Sequence, residues 1–461
     1  MANSSQGTKR KEPMKEPTPP PASPPRKRKR PMAKGIPQAQ IQKVQQKEEE
    51  RIQATQATQA ANGDSTAGYV KQWYNSVPER GRDWRKTDSE IKGLRSYNNW
   101  VKSVLIIKHA PKERGFKVLD IGCGKGGDLI KWQHQRPALY VGLDPAEISI
   151  GNARDRYHDM KRKNRRGPPI FDAEFAVKDC FGSALDDIPI IKEVGYDRNN
   201  DPRWGGGGFD IVSMMFCLHY AFENEERARQ MLKNVAASLK KGGMFIGTIP
   251  NSHVLSRKVE EFHKRNAPSN PETAANEKPV DDDDGDMPTF ASDNEEDWDP
   301  EKTLDDPKPA EQPAPIAAAA TEPNGSSTPK TTLPPSAKEE EKVRLSFGNS
   351  IYKVDFLTDT PADGVFRPPF GWRYFYKLAE AVEAPEYVVP WEAFRALAED
   401  YNLELEYRKD FREVWAEEKD HRDFGPLSER MNVKSRNGNL LVSDEEMEAC
   451  SFYHAFCFYK V

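Results

Sequence analysis

Cysteine is scarce and shows no pairing. The 461 residues hold five, Cys123, Cys180, Cys217, Cys450 and Cys457, and no two share the short spacing of a zinc site or a disulfide staple. Such a set reads as free thiols of a reducing compartment and argues against a disulfide-framed secreted domain. No apolar stretch reaches the roughly 18 residues of a spanning helix, so no membrane partner is expected. The N-terminus shows no signal peptide. An excess of one charge is also lacking, because the net charge is only −4. That near balance hides two opposite blocks. Residues 9–34 carry net +8 and residues 270–341 net −15, which leaves the rest at +3. A mildly basic body is compatible with a polyanionic ligand without requiring one.

Residues 1–66 have no hydrophobic period and are rich in Pro, Lys, Gln and Ala. Within them, Pro24-Pro25-Arg26-Lys27-Arg28-Lys29-Arg30-Pro31 has the form of a nuclear import signal, which predicts a nuclear location. Residues 40–60, rich in Gln, Glu and Ala, are expected to be transiently helical. Periodicity vanishes again over 266–342, where the acidic run Asp281–Asp284, several prolines and Ala317–Ala320 stand. Such composition buries too little apolar surface to offset ordering entropy. The stretch reads as a disordered acidic insert within a single domain, 67–461, because too few residues follow it for a second large core.

The rest alternates. Leu94, Tyr97, Val101, Val104 and Leu105 recur at helical spacing and predict a helix from Ile91 to His109. Strands are predicted at Ala138–Leu143, Ala173–Lys178, Phe209–Phe216 and Met244–Ile249. Helices are predicted at Ala146–Lys163 and at Glu225–Leu239, the second closed by Gly242-Gly243. Strand-like text resumes at 343–349 and continues at Ile351–Phe356, Trp372–Leu378, Leu403–Lys409 and Ser451–Tyr459. Trp391–Tyr401 reads as an amphipathic helix. This order predicts an α/β fold, a parallel sheet with helices on both faces.

The most informative line is Val118-Leu119-Asp120-Ile121-Gly122-Cys123-Gly124-Lys125-Gly126-Gly127-Asp128. A buried strand ends in four glycines within six residues, and a helical pattern follows. Glycine permits unusual backbone angles and lets a ligand lie against the main chain. No Gly-Lys-Ser/Thr follows, which excludes a phosphate loop, but Gly122, Gly124 and Gly127 fit the dinucleotide pattern Gly-x-Gly-x-x-Gly. Asp144, at the end of the next strand, would hold a ribose diol of either ligand. Asp120 discriminates: a carboxylate there repels a pyrophosphate and suits a cationic ligand. The combination resembles the S-adenosylmethionine site of class I methyltransferases.

The resemblance then narrows. Leu94-Arg95-Ser96-Tyr97-Asn98-Asn99-Trp100-Val101-Lys102 and Val118–Trp132 resemble the mRNA cap (guanine-N7) methyltransferase family. So do Phe216-Cys217-Leu218-His219-Tyr220, Ile249-Pro250-Asn251-Ser252, Ser346-Phe347-Gly348-Asn349 and Ala384-Pro385-Glu386-Tyr387. The similarity covers Tyr69 to Val461, apart from the acidic insert and a loop at 197–208. It implies a Rossmann-like class I methyltransferase: a mainly parallel seven-stranded sheet with a final antiparallel hairpin. It also implies methyl transfer from S-adenosylmethionine to N7 of the guanine in the GpppN cap of pre-mRNA. The capping and transcription machinery would be partners, and the chain a monomer.

By the same resemblance Lys102, Gly122, Asp144, Asp179, Met215 and Tyr220 would line the S-adenosylmethionine pocket. Met215 stands where relatives carry Gln. Asn98, Asn99, Lys125, Lys131, Arg156, His219, Glu386 and Tyr453 would line the cap pocket, with the three cations for phosphates and Glu386 for the guanine edge. No catalytic base and no metal are implied, since guanine N7 carries no proton to remove. The alternatives are a methyltransferase of the same fold acting on another RNA or a small molecule, and a non-catalytic cap-binding protein.

Overall fold

Near-continuous buried runs, as at Leu139–Asp144 and Phe209–Met215, mark strands covered on both faces of a sheet. The computed structural model describes residues 66–76, 89–164, 167, 169–196, 207–267 and 344–461, all within one unit, Thr66–Val461. The basic run Pro24–Pro31, the segment 40–60, and nearly all of the acidic stretch and of the 197–208 loop lie outside the described residues. The strands are β1 (Lys117–Ile121), β2 (Leu139–Asp144), β3 (Asp172–Val177), β4 (Phe209–Met215), β5 (Leu239–Pro250), β6 (Ser346–Gly348), β7 (Tyr352–Phe356), β8 (Arg373–Leu378), β9 (Val382–Tyr387), β10 (Leu403–Asp410) and β11 (Tyr453–Lys460).

Seven strands form the main sheet in the order β10-β11-β5-β4-β1-β2-β3. β1 to β5 pair in parallel. β11 runs antiparallel to both β5 and β10. This is the mainly parallel seven-stranded sheet with a final antiparallel hairpin that the sequence predicts. The strand order reverses between β1 and β4, and α/β sheets of this kind open a ligand crevice at the carboxyl ends of such strands. One face is covered by the Glu225–Ser238 and Trp391–Glu399 helices, with Met231, Leu232, Val235 and Phe394 fully buried. The other is covered by the Lys92–His109 helix, through Leu94, Tyr97, Trp100, Val101 and Leu105.

Two expectations differ from the structure. The Glu225–Ser238 helix ends before the glycine pair, and β5 begins at once at Leu239 and runs through Gly242 and Gly243. The pairing of β4 with β5 shifts register between Phe209 and Ile211, and Gly242 takes φ +73°. The glycines therefore serve a bulge, not a helix end. The strands at Tyr352–Phe356 and Arg373–Leu378 do not join the main sheet. They form a separate antiparallel sheet, β6-β7-β8-β9. Tyr374 and Tyr376 are fully buried beneath it, and Tyr376 stacks on Phe452 at 5.5 Å. Its last strand, β9, contains Pro385, which a sheet accepts at an edge; β9 is that edge.

Candidate active site

The glycine turn leaves β1 with three left-handed residues, Gly122 (φ +71°), Gly124 (φ +51°) and Gly126 (φ +69°). A Cβ on Gly122 would stand 2.6 Å from Cys217 Sγ, so the approach of these two segments needs glycine there. Above Gly124 the space is open, with no heavy atom within 4 Å of a built Cβ. The Gly124 N–H donates to Asp144 Oδ2 at 2.9 Å, and the Ala146 N–H donates to Oδ1 at 2.9 Å. Each Asp144 oxygen keeps further acceptor capacity. Burial pushes the Asp144 carboxyl up, and the two N–H groups oppose it. A ribose diol matches what this carboxylate lacks.

Asp120 lies beneath the turn. Tyr140 Oη donates to Oδ2 at 2.6 Å and Ser213 Oγ to Oδ1 at 2.5 Å. Burial, then the charge of Asp128, pushes Asp120 up to about 7. Its oxygens are thus turned to strands β2 and β4.

Lys102 and Lys131 meet one carboxylate that sequence reasoning missed. Asp128 Oδ1 is 2.8 Å from Lys102 Nζ and 2.7 Å from Lys131 Nζ. Burial pushes the Asp128 carboxyl up, but the two ammonium groups outweigh it and hold it well below the carboxylate range. Lys131 also donates to Asn99 Oδ1 at 2.8 Å. Arg156 donates to the Gly126 carbonyl at 3.0 Å, behind the turn.

A cavity of about 630 Å³ opens beside the turn. From the Lys92–His109 helix Asn98, Asn99 and Lys102 line it, and from the turn Gly124 and Lys125. Across from them stand His219, Glu386 and Tyr453. Glu386, 3% exposed on the edge strand β9, accepts from Tyr374 Oη at 3.0 Å. His219 Nε2 is 3.4 Å from Glu386 Oε1, yet neither ring nitrogen of His219 has a hydrogen-bond partner. Asn98 Oδ1 is likewise buried without one. Buried polar atoms are normally paired, so these face a ligand-sized space with donors and acceptors unspent. Lys131 and Arg156 do not line the cavity. Gly122, Asp144, Asp179, Met215 and Tyr220 lie at or just beyond the carboxyl ends of β1 to β4. Met215 packs half-buried against the core, and Tyr220 packs on the His219 ring with centroids 4.2 Å apart.

Three further residues complete the walls. Phe216 takes φ +61°, an unusual angle for a residue with a Cβ. Its N–H is held by the Thr248 carbonyl at 3.0 Å, and its ring meets Tyr453 edge-on at 4.9 Å. Trp73 and Tyr74 come from the Thr66–Ser76 helix. Burial pushes the Tyr74 phenol well up, and Tyr220, Glu386 and Asp144 are its neighbours. The short, weakly amphipathic text around Tyr69 gave no signal of this role.

Residues 56–270 and 320–461 match the family described as mRNA (guanine-N(7))-methyltransferase domain. The mRNA cap guanine-N(7) methyltransferase of Aspergillus clavatus is 48% identical over 477 residues, 95% of this chain and 77% of that protein. That of Pyricularia oryzae is 49% identical over 464 residues, 95% of this chain and 86% of that protein. That of Schizosaccharomyces pombe is 35% identical over 402 residues, 87% and 84% of the two chains. These matches leave the small-molecule and non-catalytic readings without support. With its sheet order, its glycine turn and its cavity, the chain belongs to the mRNA (guanine-N7) methyltransferase family, whose methyl donor is S-adenosylmethionine.

Proposed function

We propose that this chain methylates N7 of the cap guanine of pre-mRNA, and that the cavity seats that guanine while the strand ends hold S-adenosylmethionine. The observation that carries the reading is the pair His219 and Glu386, buried in the cavity wall at 3.4 Å with both imidazole nitrogens unspent. Guanine presents N1–H and a 2-amino group on one edge, and Glu386 Oε1 accepts from that edge. His219 and Asn98 add polar contacts, and Tyr453 and Phe216 supply flat surfaces, where stacking contributes roughly 1–3 kcal/mol. Lys125 meets the phosphate bridge at the cavity mouth. Lys131 and Arg156 add positive charge behind it.

For the donor, Asp144 takes the ribose hydroxyls, Asp179 the adenine amino group, and Lys102 the carboxylate of the methionine moiety. Gly122 lets the main chain approach, and Met215 and Tyr220 close the pocket. S-adenosylmethionine supplies a methyl group activated on a sulfonium sulfur. The side chains need only hold N7 in line at roughly 3–3.5 Å from that methyl. N7 has an in-plane lone pair and no proton, so the transfer calls for neither a general base nor a metal ion. A fixed field from buried groups such as Glu386 then acts without reorganisation. The basic run Pro24–Pro31 supports work in the nucleus, on nascent RNA and beside the capping and transcription machinery. No helix among the described residues is long and apolar enough to cross a membrane. Calorimetry with GpppA, IpppA and ApppA tests the pocket. The order of affinity expected is GpppA, then IpppA, then ApppA; equal affinities for GpppA and ApppA would place the guanine elsewhere.

A further inference from the structure

Asp179 does not stand alone beyond β3. Its Oδ1 accepts the N–H groups of Phe181 and Gly182, each at 3.1 Å. Arg227 then closes on it from the next layer, with one nitrogen 3.1 Å from Oδ1 and 3.2 Å from Oδ2. Arg227 itself is set by a cap: the Asn224 side chain accepts its backbone N–H at 2.9 Å at the start of the Glu225–Ser238 helix. Gly182 leaves the room this needs, since a Cβ there would stand 2.6 Å from Asp179 Oδ2 and 2.9 Å from an Arg227 nitrogen. The Arg227 side chain is 16% exposed while that of Asp179 is 44% exposed. The guanidinium is therefore the buried support, and the carboxylate is the open end with acceptor capacity left on Oδ2.

The support continues inward. Arg227 Nε is 3.5 Å from Glu223 Oε2. Glu223 Oε1 accepts from Tyr387 Oη and from the Thr66 N–H, both at 3.2 Å. Thr66 Oγ1 and Tyr387 Oη are 2.5 Å apart. Tyr387 follows Glu386 on β9, and Thr66 opens the helix that brings Trp73 and Tyr74 to the cavity. A chain of charge-assisted contacts thus runs from Asp179 to both.

We propose that Arg227 is a positioning residue for cofactor selection: it fixes the Asp179 carboxylate that reads the adenine 6-amino group and, through Glu223, ties it to the helix and strand that wall the cavity. The proposal rests on the assignment of Asp179 to adenine made above. Arg227 touches no reacting atom. Its effect is orientation, since an Asp179 carboxylate free to rotate accepts from a 6-amino group and tolerates a 6-oxo group less selectively.

The test compares S-adenosylhomocysteine with S-inosylhomocysteine, which carries a 6-oxo group, as inhibitors of methyl transfer to GpppA. The parent enzyme should prefer the adenosyl compound by at least about 30-fold. Arg227→Gln should cut that preference at least about 10-fold and raise the KM for S-adenosylmethionine more than it lowers kcat; Arg227→Lys should restore part of it. A folded Arg227→Gln with the parent preference overturns the proposal. Asp179→Asn separates the two layers. If it keeps the parent preference, Asp179 does not read the amino group and the site assignment falls. If it abolishes the preference while Arg227→Gln keeps it, only the role of Arg227 falls. Should Arg227→Gln fail to fold, Glu223→Gln decides: a lowered preference supports the clamp, and an unchanged one overturns it.

Discussion

His219 Nε2 and Glu386 Oε1 face each other at 3.4 Å in the wall of the cavity, both side chains nearly sealed from solvent. A carboxylate in such a place is costly unless hydrogen-bond donors reach it. Tyr374 supplies one at 3.0 Å. In the proposed reading, the guanine edge supplies the others.

Glu386→Gln keeps the shape and replaces one acceptor by a donor, which opposes N1–H and the 2-amino group. Transfer to GpppA should fall by at least about 100-fold, or ~2.7 kcal/mol, with cofactor affinity hardly changed. Steady-state kinetics together with calorimetry of S-adenosylhomocysteine decide this. Near-parent turnover would make Glu386 a structural residue only.

Asp144→Ala removes the acceptor at the end of β2. Cofactor binding should weaken by about 1.5–3 kcal/mol, the scale of charge-assisted hydrogen bonds. Unchanged affinity in a folded variant would move the ribose away from this carboxylate.

Asp128→Asn leaves Lys102 and Lys131 facing one another without a counter-charge. Breaking a buried pair in this way costs about 3–5 kcal/mol, here shared between two ammonium groups. We expect a clear fall in melting temperature and a rise in the KM for S-adenosylmethionine, because Lys102 loses the group that aims it. A variant with parent stability and parent KM would show that Asp128 holds neither lysine in solution.

Asp120 should give the cofactor-free protein a particular pH response. Its folded pKa is about 7, against an ordinary value of 3.8. Between these values the unfolded chain has released the proton and the folded protein has not. Stability therefore falls as pH rises across that window, by about 1.4 kcal/mol per pH unit from this group. Asp120→Asn removes the response. The difference in unfolding free energy, parent minus variant, should drop by on the order of 2–3 kcal/mol between pH 5 and 7.5 in urea titrations. A difference independent of pH would show that Asp120 is ionised throughout.

The main sheet was legible because β1 to β5 carry apolar text with helical patterns between them, and each local pattern agrees with its place. The second sheet was not. Tyr352–Phe356 and Arg373–Leu378 look alike whichever sheet they join, since pairing partners are set by contacts such as Tyr376 on Phe452, far along the chain. Pro385 hid β9, because proline argues against an interior strand and is silent about an edge. Ser443 and Glu446, three apart, form a capping box that marks the start of the Asp444–Cys450 helix, a spacing legible in the sequence itself. Within the site, motif residues such as Asn98, Lys125, His219 and Glu386 gather at one cavity. Asp128, Arg227 and Tyr74 escaped notice because their roles depend on partners 26, 48 and 146 residues away, Lys102, Asp179 and Tyr220.

The most direct measurement is methyl transfer from S-adenosylmethionine to GpppA-capped RNA, followed by nuclease digestion and identification of the methylated atom. The account predicts m7GpppA, with the methyl on N7 of the cap guanine and no transfer to ApppA-capped RNA. A methyl on any other atom, or a folded enzyme that binds S-adenosylmethionine and GpppA yet transfers nothing, would contradict it.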